Sequence, residues 1–144
     1  MKYKFITELL EAANAIPDQE QRAIFLQSNM RESVKKVLAC LHNPEIEFVR
    51  PLGLKFDTHR NKMGISDTDL GVETKRLYIF QKSNPLNESR KITRLTQMLE
   101  AMPFEESSFV YNNLLTKKNP YKNLQRPFIR KYFPEILTYK IDRH

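Results

Sequence analysis

Residues 87–102, NESRKITRLTQMLEAM, carry the clearest helical pattern in the chain. Asn87 is a residue of the type that caps a helix N-terminus, and apolar residues then recur at the spacing of one helical face. These apolar residues are Ile92, Leu95, Leu99 and Met102. Pro103 breaks this helix and is suited to the first turn of the next, which we expect to run to about Leu115.

Three further helices are predicted before residue 44. We expect them over residues 3–16, from Asp18 to about Gln27, and from a cap at Ser28 or Asn29 up to Asn43. The second and third are close in sequence, so they are expected to pack as an antiparallel hairpin.

The middle of the chain shows little periodicity. We expect ordered but irregular backbone over residues 48–66, with a mobile tip near 59–62. Extended chain over residues 48–52 is an open alternative. Beyond this loop, Asp67 or Asp69 starts a helix that runs to Phe80.

That helix is expected to align Val72, Arg76 and Phe80 on one face. A short last helix begins at Pro127 and is closed by Pro134, after which Ile136 and Leu137 are expected to pack back on the domain. The whole pattern predicts an all-α, single compact domain of about seven short helices with one long irregular loop (about 48–66). The domain spans 1–144, with a core over about 3–137 and a short C-terminal tail over 138–144.

The composition argues against a disulfide-dependent, membrane-spanning or secreted protein. A chain of 144 residues buries enough surface to fold without disulfides or metals. Its single cysteine, Cys40, cannot form an internal disulfide, and the chain has no apolar run near the roughly 20 residues of a membrane helix. Glu8 and Glu11 argue against a secretory signal. We therefore expect a cytoplasmic protein with no membrane partner.

The net charge of +7 is concentrated near the C-terminus. Up to Thr116 the chain has 16 Lys and Arg against 15 Asp and Glu, a net of +1. From Lys117 onward it has 8 against 2, a net of +6. A localised basic surface attracts polyanions such as DNA, RNA, acidic lipid or acidic protein, whereas a charge that only aids solubility is the alternative.

Three basic groups account for the candidate nucleic-acid contacts. They lie at the start of the helix after Asn87, around the Asn119–Pro120 turn, and along the last helix. Their members are Arg90, Lys91 and Arg94; Lys117, Lys118 and Lys122; and Arg126, Arg130 and Lys131. Tyr111, Tyr121 and Tyr132 are interleaved with these cations. Duplex DNA is held by spaced cations and by backbone N–H groups at turns and helix starts, so this pattern favours nucleic-acid binding.

No complete catalytic site is predicted. The chain has no glycine-rich phosphate loop and its three histidines are scattered, so we expect no enzyme activity, no cofactor and no metal. Cys40 is expected to be a buried small hydrophobe. The acidic pairs are expected to cap helix starts; they are Glu45 with Glu47, Asp67 with Asp69, and Glu105 with Glu106. A metal-dependent nuclease or hydrolase using Asp67, Asp69 and Glu73 is a minor alternative.

Two segments carry a resemblance to a known family. They are residues 33–38, SVKKVL, followed by a proline-containing irregular stretch, and the closing pattern from Asn113 through Lys117–Lys118 and a turn to 128–134, FIRKYFP. In this order the chain resembles the N-terminal helical DNA-binding domain of ATP-dependent DNA ligases, especially those of tailed phages. Residues 75–80, KRLYIF, are similar to a central helix of that domain, and the pattern also resembles small stand-alone phage proteins.

The resemblance implies a phage-type accessory module in the cytoplasm of a host cell. It would grip the backbone of duplex DNA across the minor groove without sequence preference. The matching cations are Arg90, Arg94, Lys117, Lys118, Lys122, Arg126 and Arg130.

The chain departs from the ligases in two places. Lys55-Phe56-Asp57-Thr58 lacks the glycine of the nucleotidyl-lysine motif K-x-D-G, so no ligase activity is expected. Asn119–Pro120 stands where the family's closing turn often carries glycine.

The alternative is a protein–protein adaptor or inhibitor that binds a host or phage protein through the same scaffold. It requires an exposed apolar patch away from the basic end. The residues expected to form it are Phe48, Leu52, Leu54 and Phe56.

Overall fold

A computed structural model of the protein describes residues 3–51, 53–57 and 66–142. These residues form seven α-helices, and no β-strand occurs among them. The helices are α1 (Ile6–Asn14), α2 (Gln19–Ser28), α3 (Glu32–His42), α4 (Leu70–Glu73), α5 (Glu88–Ala101), α6 (Phe104–Phe109) and α7 (Arg126–Tyr132). The prediction of an all-α domain is confirmed.

Three further helical segments, which are not α-helical, complete the described architecture. A 3-10 helix (Thr74–Phe80) continues α4, a π-helical turn (Val110–Leu114) continues α6, and a second 3-10 helix (Pro134–Thr138) follows α7. Ile136 in this last segment is buried and Leu137 is partly buried, so their predicted packing against the core is confirmed. Ile141 is buried as well, which extends the packed core into the expected tail.

The prediction that Val72, Arg76 and Phe80 lie on one face of a single helix is wrong. Phe80 is buried, but Val72 and Arg76 are exposed. The cause is the 3-10 conformation, which places residues three apart on one side of the helix, whereas the prediction assumed a spacing of four. The buried residues of this helix are Thr74, Leu77 and Phe80, which are three apart, together with Ile79.

Side-chain caps decide where several helices begin. Asp18 accepts the N–H of Gln21 at 2.9 Å and Asn87 accepts that of Arg90 at 2.9 Å, which confirms both predicted caps. The predicted cap of α3 at Ser28 or Asn29 is wrong. Asn29 instead closes α2, where its side-chain amide donates to the Phe25 carbonyl at 2.8 Å.

Helix α3 lies at the centre of the fold. It packs against α4, both 3-10 helices and the π-helical turn, while α2 packs mainly on α1. The hairpin predicted from α2 and α3 is therefore wrong, because α3 is surrounded by the second half of the chain. Val34, Val37 and Leu38 are fully buried on α3, and Phe48 and Phe80 are among the largest buried side chains.

The start of the irregular segment is held on the core by a single β-bridge. Phe48 pairs antiparallel with Gln81, with Val49 N–H donating to the Phe80 carbonyl at 2.9 Å and Lys82 N–H to the Glu47 carbonyl at 2.8 Å. The chain from residue 48 is thus extended at its beginning, as the alternative interpretation allowed. The expected mobile tip at 59–62 lies outside the described residues.

Candidate nucleic-acid interface

The basic turn that follows α6 has an unusual backbone. Lys117 has a φ of 57°, and it is the only non-glycine residue with positive φ in the described ranges. The N–H groups of Lys117 and Lys118 donate back to the carbonyls of Leu114 and Asn113 at 3.2 and 2.9 Å. The Asn113 side-chain amide donates to the Lys118 carbonyl at 3.0 Å. These hydrogen bonds fix the direction in which the two lysines leave the turn.

Two of the expected DNA contacts cap the C-terminus of α3. Lys117 Nζ donates to the Cys40 carbonyl, and Arg126 Nη2 donates to the His42 carbonyl at 2.7 Å. The last carbonyls of a helix lack partners within it, and cations there also complement the helix dipole. Lys117 and Arg126 therefore stabilise the fold as well as contributing charge to the surface.

Burial disfavours the charged forms of the two titratable groups next to these cations. Burial, followed by the charge of Arg126, lowers the pKa of His42 from 6.5 to about 4. Burial raises the pKa of the Cys40 thiol to about 12. Cys40 is fully buried, which agrees with its prediction as a small hydrophobe. Burial also lowers the pKa of Lys117.

Two adjacent hollows form what we call the basic groove. The first has a volume of about 340 Å³ and the second about 270 Å³, and both are lined by Arg50 and Leu115. The charged side chains of the groove are Arg50, Lys82, Lys117, Lys118 and Arg126, with Glu47 as the one carboxylate among the described lining residues. Buried Phe48 and Leu115 contribute to its floor. The arrangement presents five cations against one anion on a single concave surface.

Arg50 and Lys82 were missed by sequence reasoning. The bridge between Phe48 and Gln81 brings their two segments together, and it thereby adds both cations to the surface formed by the Lys117 turn. The extended run from Phe48 was a local signal for one partner, but no pattern in the sequence indicated that Gln81 is the other. Glu47 lies 3.9 Å from Lys82 across the same bridge.

The remaining predicted contacts lie outside the described lining of the groove. Arg90 is exposed at the start of α5, and Lys122, Arg130 and Lys131 are exposed near or on α7. Lys131 Nζ lies 5.2 Å from the ring centroid of the neighbouring Tyr132.

The cations predicted on α5 also differ in environment. Arg94 lines a different cleft, described below. Lys91 was expected to be part of the basic surface, but it is buried. Its Nζ donates to the Gln81 carbonyl at 2.7 Å, so its charge is used inside the fold.

Two of the acidic residues named for a nuclease site, Asp69 and Glu73, have structural partners. Asp69 accepts the N–H of Val72 at 3.0 Å and so caps α4, as predicted. Glu73 accepts from the Thr68 hydroxyl at 2.8 Å and from Arg76. Among the described residues, no group of three His, Cys, Asp or Glu side chains is placed to hold a metal ion.

Glu106 caps a helix start, as was expected of the acidic pairs, but the helix is α4. Its side chain is 0% exposed and accepts the N–H of Leu70 at 2.8 Å, so it caps α4 rather than its own helix. Burial, with a smaller effect from the charge of Asp69, raises its pKa to about 7.

The apolar patch required by the adaptor alternative is mostly covered. Phe48 is only 2% exposed, and Leu54 and Phe56 are partly buried against the core. Phe56 packs edge-on to Tyr111 with ring centroids 5.4 Å apart, and the Tyr111 hydroxyl accepts the Leu54 N–H at 3.1 Å. Leu52, the fourth expected member, lies outside the described residues.

The fold and the groove together define an all-α domain with a concentrated basic surface. Comparisons with protein-family models, curated proteins and solved structures found no match for this chain. No helix in the described ranges has the length and apolar character needed to cross a bilayer.

Proposed function

We propose that this chain is a non-enzymatic module that binds the phosphate backbone of duplex DNA in the basic groove without reading base sequence. The observation that carries the proposal is the lining of the groove by five cations and one carboxylate. Phosphate contacts by Lys and Arg supply most of the affinity of sequence-independent DNA binding. The resemblance to the helical domain of phage DNA ligases stays a prediction that favours the same function.

The groove also offers rigidity. The Lys117 and Arg126 side chains are anchored by hydrogen bonds to the end of α3, so less side-chain entropy is lost when a phosphate binds between them. Arg50 and Lys118 are exposed on the same surface. Both can therefore contact DNA without any rearrangement of the fold.

Binding is measured by fluorescence anisotropy of a labelled duplex of arbitrary sequence at 50 and 200 mM salt. We expect a Kd in the micromolar range or weaker at the lower salt. If three to five phosphates are neutralised, affinity falls roughly 40- to 500-fold over this fourfold salt increase. No binding at 50 mM salt, or binding that is insensitive to salt, contradicts the proposal.

The location of the site is tested by the double variant Arg50→Ala/Lys118→Ala, whose residues are exposed and lie on the groove. We expect this variant to bind DNA more weakly than wild type, with an affinity that depends less steeply on salt. The matched control is the double variant Lys75→Ala/Lys140→Ala, which removes two exposed cations that lie outside the described groove lining and were not predicted to contact DNA. Equal losses in the two double variants would show that only overall charge matters.

A further inference from the structure

A second cleft lies between the 3-10 helix Thr74–Phe80 and α5. Its volume is about 530 Å³, within the roughly 300–1,000 Å³ typical of small-molecule sites. We call it the two-arginine cleft, because the 3-10 helix contributes Arg76 to its lining and α5 contributes Arg94. No described residue lines both this cleft and the basic groove.

Arg76 is positioned by a buried carboxylate. Glu73 is 7% exposed and accepts from Arg76 Nη1 at 3.2 Å through each of its two oxygens. The Thr68 hydroxyl donates to the same carboxylate at 2.8 Å and fixes its orientation. A guanidinium has five N–H donors, and Glu73 engages only Nη1. The donors on Nε and Nη2 therefore stay available to an anion while the side chain is held in place.

The rest of the cleft fits an anion that has an apolar body. Arg94 is exposed and makes no ion pair in the part of the chain that the structure describes. Ile79 and Met98 line the cleft beside it, and Gln97 adds an amide that both donates and accepts. Two arginines against Glu73 leave the cleft with a net charge of +1.

We propose that the two-arginine cleft binds a small organic anion. Its carboxylate or phosphate group is held between Arg76 and Arg94, since the planar guanidinium matches both groups. Its apolar body packs against Ile79 and Met98. The site is distinct from the DNA-binding groove and does not depend on the function proposed for that groove.

The test is an NMR titration of the protein labelled at the Ile and Met methyl groups, with no nucleic acid present. The probes are benzoate and phenyl phosphate, with benzyl alcohol as an uncharged analogue of similar size. We expect saturable shifts of the Ile79 and Met98 methyl signals with at least one anion, and the tighter probe identifies the preferred acid group. Absence of shifts with both anions, or equal shifts with benzyl alcohol, would overturn the proposal.

Arg94→Ala tests the contribution of the second arginine. Removing a charge-assisted hydrogen bond should weaken anion binding at least about tenfold. Arg90→Ala is the matched control, since this arginine is exposed one turn earlier on α5 and is not part of the described lining. We expect unchanged binding in the control. Equal affinity of wild type and Arg94→Ala would also overturn the proposal.

Discussion

Lys117 combines a strained backbone with a structural side-chain contact. Its positive φ lies in the left-handed region, which costs an L-residue about 1–2 kcal/mol relative to its usual conformations. The hydrogen bond from Nζ to the Cys40 carbonyl, together with the tight turn, holds the residue there. Lys117 therefore stabilises the C-terminus of α3 through its side chain, while its own backbone conformation is unfavourable.

Two substitutions at position 117 separate these effects. Lys117→Ala and Lys117→Gly both remove the contact with Cys40, but only glycine adopts the left-handed conformation without steric penalty. We expect Lys117→Gly to be more stable to urea than Lys117→Ala by about 1 kcal/mol. Equal stabilities, or a more stable alanine variant, would show that the turn relaxes to another conformation.

At the scale of elements, Glu106 joins α6 to the start of α4. Its pKa in the folded protein is about 7, against 4.5 in an unfolded chain. The fold therefore favours the protonated form, so the stability associated with this group is present below pH 4.5 and is lost as pH rises to about 7. His42 acts in the opposite sense, because its folded pKa of about 4 lies below its ordinary 6.5.

Glu106→Gln removes one of these two titrations. Between pH 5 and pH 8 we expect the stability of this variant to rise relative to wild type, by up to roughly 3 kcal/mol. The measurement is the free energy of unfolding in urea at each pH. Glu105→Gln is the control, since its side chain is exposed and should keep the wild-type dependence. The same pH dependence in both variants would contradict the role given to burial.

Across the whole molecule, the basic groove depends on segments that are far apart in the chain. Lys117 and Cys40 are separated by 77 residues and Arg126 and His42 by 84, yet each pair is hydrogen-bonded. The groove therefore exists only when α3, the Phe48 bridge and the closing turn are all assembled. Its net positive charge includes the opposing contribution of Glu47.

Glu47→Gln should strengthen DNA binding, because it removes the one described carboxylate of the groove without changing side-chain size. We expect a Kd at 50 mM salt lower by about two- to tenfold, the range of a partly screened charge interaction. Anisotropy with the same duplex measures it. Glu45→Gln makes the identical change at an exposed residue outside the described lining and is the control. A higher Kd for Glu47→Gln than for wild type, or the same gain in affinity in both variants, would argue against phosphate binding in this groove.

Parts of the fold were predictable because their signals are local. The caps at Asp18, Asp69 and Asn87 involve residues within a few positions of each other, so the sequence alone determined them. Leu95, Leu99 and Met102 of the predicted apolar stripe are buried, whereas Met98 is buried in place of Ile92. The face of the segment after α4 was not predictable, because the choice between 3-10 and α geometry depends on how Leu77 and Phe80 meet the core.

The candidate site divides in the same way. Lys117 and Lys118 were predicted in one basic group and Arg126 in the next group along the chain, and all three line one groove. The other members of those two groups, Lys122, Arg130 and Lys131, lie outside its described lining. Arg50, Lys82 and Glu47 join it only through the pairing of Phe48 with Gln81. The sequence by itself determined the helical class and the excess of charge near the C-terminus. Only the tertiary structure decided which cations share a surface, because that depends on packing between segments whose separation along the chain leaves no periodic signal.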